Sequence, residues 1–269
     1  MLETIYFAFS TLKLRNSGTK SNPVLILGDY QRDLLHHTFE VGEEGIKEGT
    51  SNLLEIDVMG RELQIYYSLL RLGIRGTDAW SPEFVFVFGK KKVDAGLSFQ
   101  PIGLLYFPIE TLSGDAKEGV ISLPLKRADL GGYYNTLSRI LILVKNSKAE
   151  YAGTKSPIRL EVYLRDGVLL NYTFPAGQLE NSNDVFFTIL KTERVFYATE
   201  ITAIKLFIEG TDQWTPESMW VMALDDMPDE FEAVVPLVTL QDWKSSGLGK
   251  LSTDPNKGEP VKLLYQAFT

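Results

Sequence analysis

The chain has 269 residues, 44% of them apolar and 23% charged, with 12% aromatics and a formal net charge of −8. That balance excludes a disordered or fibrous chain and supplies enough apolar mass for one large domain or two ordinary ones. There is no cysteine and only an adjacent pair of histidines, which removes disulfides, thiolate metal sites and cysteine nucleophiles and leaves histidine chemistry little material.

No apolar run approaches the roughly 18 residues of a membrane-spanning helix. Residues 1–132 carry 14 basic and 17 acidic side chains, and residues 133–269 carry 13 and 18. Neither half offers the basic surface that a nucleic-acid backbone requires, so no nucleic-acid partner is expected. The opening Met1–Phe9 is acidic at Glu3 and alternates like a strand, without the basic start and apolar stretch of a secretory signal. Synthesis in the cytoplasm follows as the expectation, with a place in a virion or export by a signal-independent route as alternatives.

Along the chain the signals are those of short strands. After the alternating start comes Gly18-Thr19-Lys20-Ser21, then the strand-like Leu34–Gly42, which contains His36 and His37. Neighbours on a strand point to opposite faces, so these two histidines cannot share one metal ion. A short helix is expected within residues 43–50. Leu70–Arg75 alternates and runs into Gly76-Thr77-Asp78-Ala79-Trp80-Ser81-Pro82-Glu83. Phe84–Phe88 is apolar on both faces, which predicts a strand covered twice: a central core strand, or part of an interdomain or oligomer contact. Lys90-Lys91-Lys92 is the densest basic cluster, and Leu112-Ser113-Gly114-Asp115 follows. A glycine pair at Gly131-Gly132 marks a seam.

Beyond the seam the same signals return in the same order. Gly153-Thr154-Lys155-Ser156 stands 135 positions after its first occurrence, Leu169–Gly177 also 135 after Leu34–Gly42, and Gly210-Thr211-Asp212-Gln213-Trp214-Thr215-Pro216-Glu217 stands 134 after the first Gly-Thr-Asp-x-Trp-x-Pro-Glu. Leu251-Ser252-Thr253-Asp254 echoes Leu112–Asp115 at 139. Ordered matches at a nearly constant spacing predict two copies of one unit, residues 1–132 and 133–269, each a whole domain rather than a solenoid repeat. Ile158–Leu164 alternates and stops at Asp166-Gly167, a hairpin dipeptide, and Ile204–Glu209 alternates as well. Strands with turn signals at intervals of roughly 8–12 residues predict an all-β fold of two tandem antiparallel β-sandwiches. A further short helix is expected at Gln241–Ser246.

The second copy, with Leu141–Val144, Ala152-Gly153-Thr154, Arg159–Leu164, Phe174, Asp184-Val185-Phe186, Ile201–Glu209 and Asp212-Gln213-Trp214, resembles the PLAT (lipoxygenase homology) β-sandwich over about residues 138–224. The first copy resembles it more loosely over 5–90, since Asn16-Ser17-Gly18-Thr19 lacks the alanine of the turn. The resemblance implies a non-catalytic module that docks on membranes or protein partners. Some members hold calcium with clustered acidic loop residues, for which Asp78, Glu83, Asp212 and Glu217 are the candidates here; no other cofactor is expected.

Each duplicated Gly-Thr-Asp-x-Trp-x-Pro-Glu loop admits two readings. As a binding tip, Trp80 or Trp214 would insert or stack and Asp78, Glu83, Asp212 and Glu217 would orient the ligand. As a folding element, the glycine supplies positive φ, the aspartate closes a turn, the tryptophan caps the core and the proline stiffens the next strand. Duplication favours the second reading, since folding is required of both copies while binding need survive in only one. The carboxylate pairs could serve acid–base chemistry, but no nucleophile elbow, phosphate loop or cofactor fingerprint accompanies them, so no enzyme is expected.

Opposite Lys90, Lys91 and Lys92, the second copy places the acidic run containing Asp225, Asp226, Asp229 and Glu230. These ends could pair head to tail as assembly contacts or stay solvated, and the acidic run could also hold calcium or a basic partner. The expected function is a tandem sandwich interaction protein docking on a protein partner or lipid surface. The alternatives are a structural subunit of a larger assembly, such as a virus or phage particle, an injection apparatus or a filament, and a carbohydrate-binding protein that stacks sugars on Trp80 and Trp214.

Overall fold

The computed structural model describes residues 2–28, 33–58, 69–93, 96–108, 110–132, 134–225 and 231–266. By contact the chain divides into two units, Met1–Leu130 with Pro228–Glu232, and Gly131–Met227 with Ala233–Thr269.

The first unit contains β1 (Leu2–Thr11), β2 (Asn22–Gly28), β3 (Asp33–Thr38), β4 (Ser51–Asp57), β5 (Leu69–Arg75), β6 (Pro82–Val93), β7 (Gly96–Tyr106), β8 (Ser122–Pro124) and β9 (Lys126–Leu130). One of its sheets runs β4-β1-β6-β7-β9 and the other β3-β2-β5-β8, and the neighbouring strands are antiparallel. Alternation places Ile5, Phe7 and Phe9 of β1 and Val85 and Val87 of β6 on the inner face of one sheet. Leu25 and Leu27 of β2 and Leu70, Leu72 and Ile74 of β5 come from the other, and together they form one buried cluster.

The second unit contains β10 (Leu137–Asn146), β11 (Ile158–Leu164), β12 (Gly167–Thr173), β13 (Val185–Phe196), β14 (Ile201–Ile208), β15 (Gln213–Trp214), β16 (Pro216–Asp225), most of β17 (Phe231–Leu240, from Ala233 on), β18 (Leu251–Ser252) and β19 (Val261–Gln266). Its sheets run β13-β10-β16-β17 and β12-β11-β14-β19, with β15 and β18 paired on their own. Ile140, Ile142 and Val144 of β10 meet Leu160 and Val162 of β11 and Ile204 and Leu206 of β14 in its core. Each unit is a β-sandwich, and burying each such side chain contributes about 1.5–3 kcal/mol.

The doubly apolar strand lies centrally, as β6 between β1 and β7. Val85 and Val87 face the core, while Phe84, Phe86 and Phe88 on the opposite face are buried as well. There Phe88 stacks on Tyr6 at 4.9 Å between ring centroids and meets Phe99 at 5.3 Å. Its counterpart β16 is central in the second unit, with Met219 and Val221 in the core and Trp220, Met222 and Leu224 buried on the other face.

The short-helix expectations divide. Residues 43–50 form turns, because Gly42, Gly45 and Gly49 take positive φ values of 70°, 69° and 66° that no right-handed helix can contain. A single 3-10 turn does form at Lys244–Ser246, closed by Gly247 at φ 74°. A second one, Ala198–Glu200, was not signalled; its Glu200 carboxylate accepts the Tyr197 N–H at 2.7 Å. Among the described residues no helix is long and apolar enough to cross a membrane.

Burial on adjacent strands sets a contrast that denaturant unfolding can check. Leu206→Ala on β14, where the side chain is fully buried, is expected to cost about 2–5 kcal/mol. Val261→Ala on the neighbouring edge strand β19, where the side chain is exposed, should stay within about 0.5 kcal/mol.

Candidate functional site

Three of the four repeated sequence motifs meet at one end of each sandwich. In the first unit the Thr19 hydroxyl donates to the Asp78 carbonyl at 3.0 Å and accepts the Ser21 N–H at 2.9 Å. The Lys20 N–H donates to Asp78 Oδ2 at 2.5 Å, and the Asp78 N–H donates to Ser21 Oγ at 3.0 Å. From the other side Ser113 Oγ donates to the Thr77 carbonyl at 2.9 Å, and the Gly114 N–H donates to the Gly76 carbonyl at 2.9 Å. Gly-Thr-Lys-Ser and Leu-Ser-x-Asp thus clasp the Gly-Thr-Asp loop between them.

The second unit closes the same way. Asp212 Oδ2 accepts the Lys155 N–H at 3.0 Å and the Thr154 hydroxyl at 3.1 Å, while the Asp212 N–H donates to Ser156 Oγ at 3.2 Å. Ser252 Oγ donates to the Asp212 carbonyl at 3.3 Å, and the Thr253 hydroxyl donates to the Gly210 carbonyl. Glycine is required at the head of the loop in both units. Gly76 and Gly210 sit at φ 137° and 113°, and a Cβ there would lie 2.3 Å and 2.8 Å from the hydroxyl oxygens of Ser21 and Ser156.

Trp80 and Trp214 are fully buried. The Trp80 indole N–H donates to Thr11 Oγ1 at 3.0 Å, and that of Trp214 to Asn146 Oδ1 at 2.7 Å. Thr11 and Asn146 end β1 and β10, each beside a register shift and each opposite the proline that opens the next central strand, Pro82 or Pro216. Asn146 is fully engaged, since its Nδ2 donates to the carbonyls of Leu179 and Asn181 at 3.0 and 2.8 Å. With both rings inside, neither tryptophan presents a face to a lipid or a sugar, and the stacking platform read from the sequence is corrected to a core cap.

The carboxylates of the loop do not act as a pair. Asp78 is held by the Thr19–Ser21 turn, while Glu83 lies on β6, where burial pushes its carboxyl up. Glu217 instead faces a cation, Lys145 Nζ, at 3.3 Å, in the position where the first unit has Ser10. The Ser10 hydroxyl is buried without a hydrogen-bond partner among the described residues. For Asp212, burial alone would raise the carboxyl, but the N–H groups of Lys155 and Gln213, the Thr154 hydroxyl and the charge of Lys257 hold it below the usual aspartate range. Among the described residues no three His, Asp or Glu side chains converge as a metal ion would require. His36 is exposed, and His37 sits edge-on against Phe39 at 4.7 Å.

The charged strand ends are only partly visible. Lys90, half-buried, pairs in β6 with Thr4 and Phe99, and the side chains of Lys91 and Lys92 lie outside the described residues. Asp225 is buried at the end of β16, where its carboxylate accepts the Ala233 N–H at 3.2 Å and its carbonyl accepts Arg139 Nη1 at 2.9 Å. It is therefore corrected from an assembly contact to a strand-end anchor. Asp226, Asp229 and Glu230 lie outside the described residues.

One loop tip was missed. Tyr151, between β10 and β11, is 78% exposed and adopts φ 59°, whereas Asn16, at the same place 135 positions earlier, adopts φ 64°. Asparagine tolerates this left-handed conformation; a bulky aromatic pays about 1–2 kcal/mol for it. The loop is fixed by Ser182 Oγ donating to the Ala149 carbonyl at 2.6 Å, the Asn183 N–H to the Ser147 carbonyl at 3.0 Å and the Thr215 N–H to the Ala152 carbonyl at 3.2 Å.

Trp214→Phe should remove the indole N–H together with part of the ring volume, leaving Asn146 Oδ1 buried and unpaired beside a small cavity and lowering unfolding free energy by about 2–5 kcal/mol at an unchanged denaturant slope. Two carboxylates should give opposite pH signatures in thermal unfolding. The lowered Asp212 contributes stability above its unfolded value that is lost as pH falls through its folded value, and Asp212→Asn should remove that acid-side slope. The raised Glu83 contributes stability below its unfolded value that is lost as pH rises through its folded value, so Glu83→Gln should stabilise the protein at neutral pH.

No protein-family model and no curated protein matches this chain. Among solved structures, the alpha toxin from Clostridium absonum is similar over 49% of this chain and 32% of its own, at 20% sequence identity and a TM-score of 0.37. A likeness at that level assigns neither a family nor an activity.

Proposed function

We propose that this chain is a non-enzymatic interaction protein that docks on a protein partner, with Tyr151 at the tip of the β10–β11 loop as its anchor. The observation that carries this reading is an aromatic ring held outward in a conformation that disfavours it, on a loop fixed by hydrogen bonds. Its exposed ring adds little to folding, and the first unit builds the same turn with asparagine. Pre-organised aromatics lose little entropy on binding, which is why tyrosine is enriched at interface hot spots. The non-enzymatic part of the proposal is supported by the engagement of Asp78 and Asp212 with turn N–H groups.

The PLAT-like reading and the duplication belong to the same proposal. They are supported by the Ala152-Gly153-Thr154 turn ahead of β11, by Trp214 ahead of β16 and by the matching clasp bonds of the two units. A second reading, a subunit of a self-assembling structure, draws on β19, an edge strand with exposed Val261 and Leu263 that another strand could extend.

A photo-crosslinking residue at position 151 identifies the partner, and affinity for the purified partner then tests the anchor. Tyr151→Asn should weaken binding by about 30-fold or more while leaving the fold as stable or slightly more so. An unchanged affinity contradicts the reading. Sedimentation of the wild type with phosphatidylcholine–phosphatidylserine vesicles, lost in Tyr151→Asn, would replace the protein partner with a lipid surface. A concentration-dependent mass by light scattering would favour assembly.

A further inference from the structure

The two units differ in chemistry beside the clasp. In the first, Asn22 Nδ2 donates to Glu40 Oε2 at 2.8 Å, and Asn22 Oδ1 accepts the Val41 N–H at 3.2 Å, with Val41 packed on the core. The residues 135 positions later are Pro157, Pro175 and Ala176. Pro157 has no side-chain amide, Pro175 no carboxylate and Ala176 no isopropyl group, so the bridge cannot form. A notch of about 180 Å³ lies there, with Phe174 and Leu179, both largely buried, in its lining.

From this geometry we infer that the second unit carries a small-ligand site, taking an aromatic ring that bears an anionic group. The walls at Pro157, Pro175 and Phe174 are flat and apolar, and the two prolines have no side-chain rotamers to lose on binding. Lys155 is the charged side chain of the lining, no carboxylate belongs to it, and the hydroxyls of Ser156 and Thr173 add donors. Asp212, behind the same turn, does not compete for the ligand's place: its oxygens already accept the N–H groups of Lys155 and Gln213 and the Thr154 hydroxyl. A ring enters between the prolines and its anionic group meets Lys155. This site stands apart from the docking reading, because Tyr151 is not part of its lining.

Benzoate titrated into the ¹⁵N-labelled full chain tests the assignment. Saturable amide shifts are expected at residues 154–158 and 173–179, with a dissociation constant in the millimolar range, and with intermolecular contacts from the benzoate ring to the protons of Pro157 and Pro175. Benzylammonium should bind several-fold more weakly, and Lys155→Gln should erase that preference. Ala176→Val, which restores the residue of the first unit, should weaken benzoate by roughly 10-fold, whereas Tyr151→Asn should leave it unchanged. Absence of saturable shifts, absence of ring contacts to the two prolines in the wild type, or equal binding of benzylammonium would each overturn the site. The proline contacts are read on the wild type, so the test holds even if Ala176→Val disturbs the turn.

Discussion

Each sandwich is closed by a buried hydrogen bond from an indole N–H to the side chain that ends its first strand, Trp80 to Thr11 and Trp214 to Asn146. An indole donor taken out of water without an acceptor costs about 1–3 kcal/mol. The tryptophan can therefore cap the core only if the strand end supplies an oxygen at that point. The acceptor is aimed by the register shift opposite Pro82 or Pro216, where the proline has no N–H to offer the ladder. Once the indole is seated, its backbone pairs with Leu112 or Leu251, and the turns on either side can lock onto the Gly-Thr-Asp loop.

That constraint separates what the two units share from what they do not. Of the shared residues, Trp80 and Trp214 bond the end of the first strand of their unit, and Thr19 with Thr154, Ser21 with Ser156 and Asp78 with Asp212 make hydrogen bonds within the clasp. The differing residues lie around it: Asn16 against Tyr151, Ser10 against Lys145, Asn22 against Pro157 and Val41 against Ala176. A position held only by folding can repeat its residue in both units; a position released from folding can acquire chemistry. On this logic the proposed recognition chemistry falls at the unlike positions of the second unit.

Much of the fold was legible because strand periodicity is a local property. Ile158–Leu164 and Leu70–Arg75 alternate in the sequence, and their apolar positions are all buried, with Glu161 and Gly73 buried between them as well; the doubly apolar Phe84–Phe88 lies at the centre of its sheet. The clasp was legible only in pieces. Each motif announced itself by repeating, but no spacing along the chain says that Lys20 and Asp78 will meet, since that contact is made by the pairing of β2 with β5. The acidic character of Asp225 suggested solvent, whereas the Ala233 N–H and the end of β16 hold it inside. Tyr151 went unread because its signal is a conformation: a tyrosine where the equivalent turn has asparagine becomes informative once the backbone is known to be left-handed.

Whether the repeated tryptophans are hydrogen-bonded core caps and not contact residues is read directly by indole N–H exchange followed by ¹⁵N NMR in the full chain. The Trp80 and Trp214 indole protons are expected to exchange only through opening of their own sandwich, with protection comparable to that of the core amides of β1 and β10. Exchange of either indole at the rate of a solvent-exposed side chain would contradict the core-cap role and return the Gly-Thr-Asp-x-Trp loops to that of binding tips.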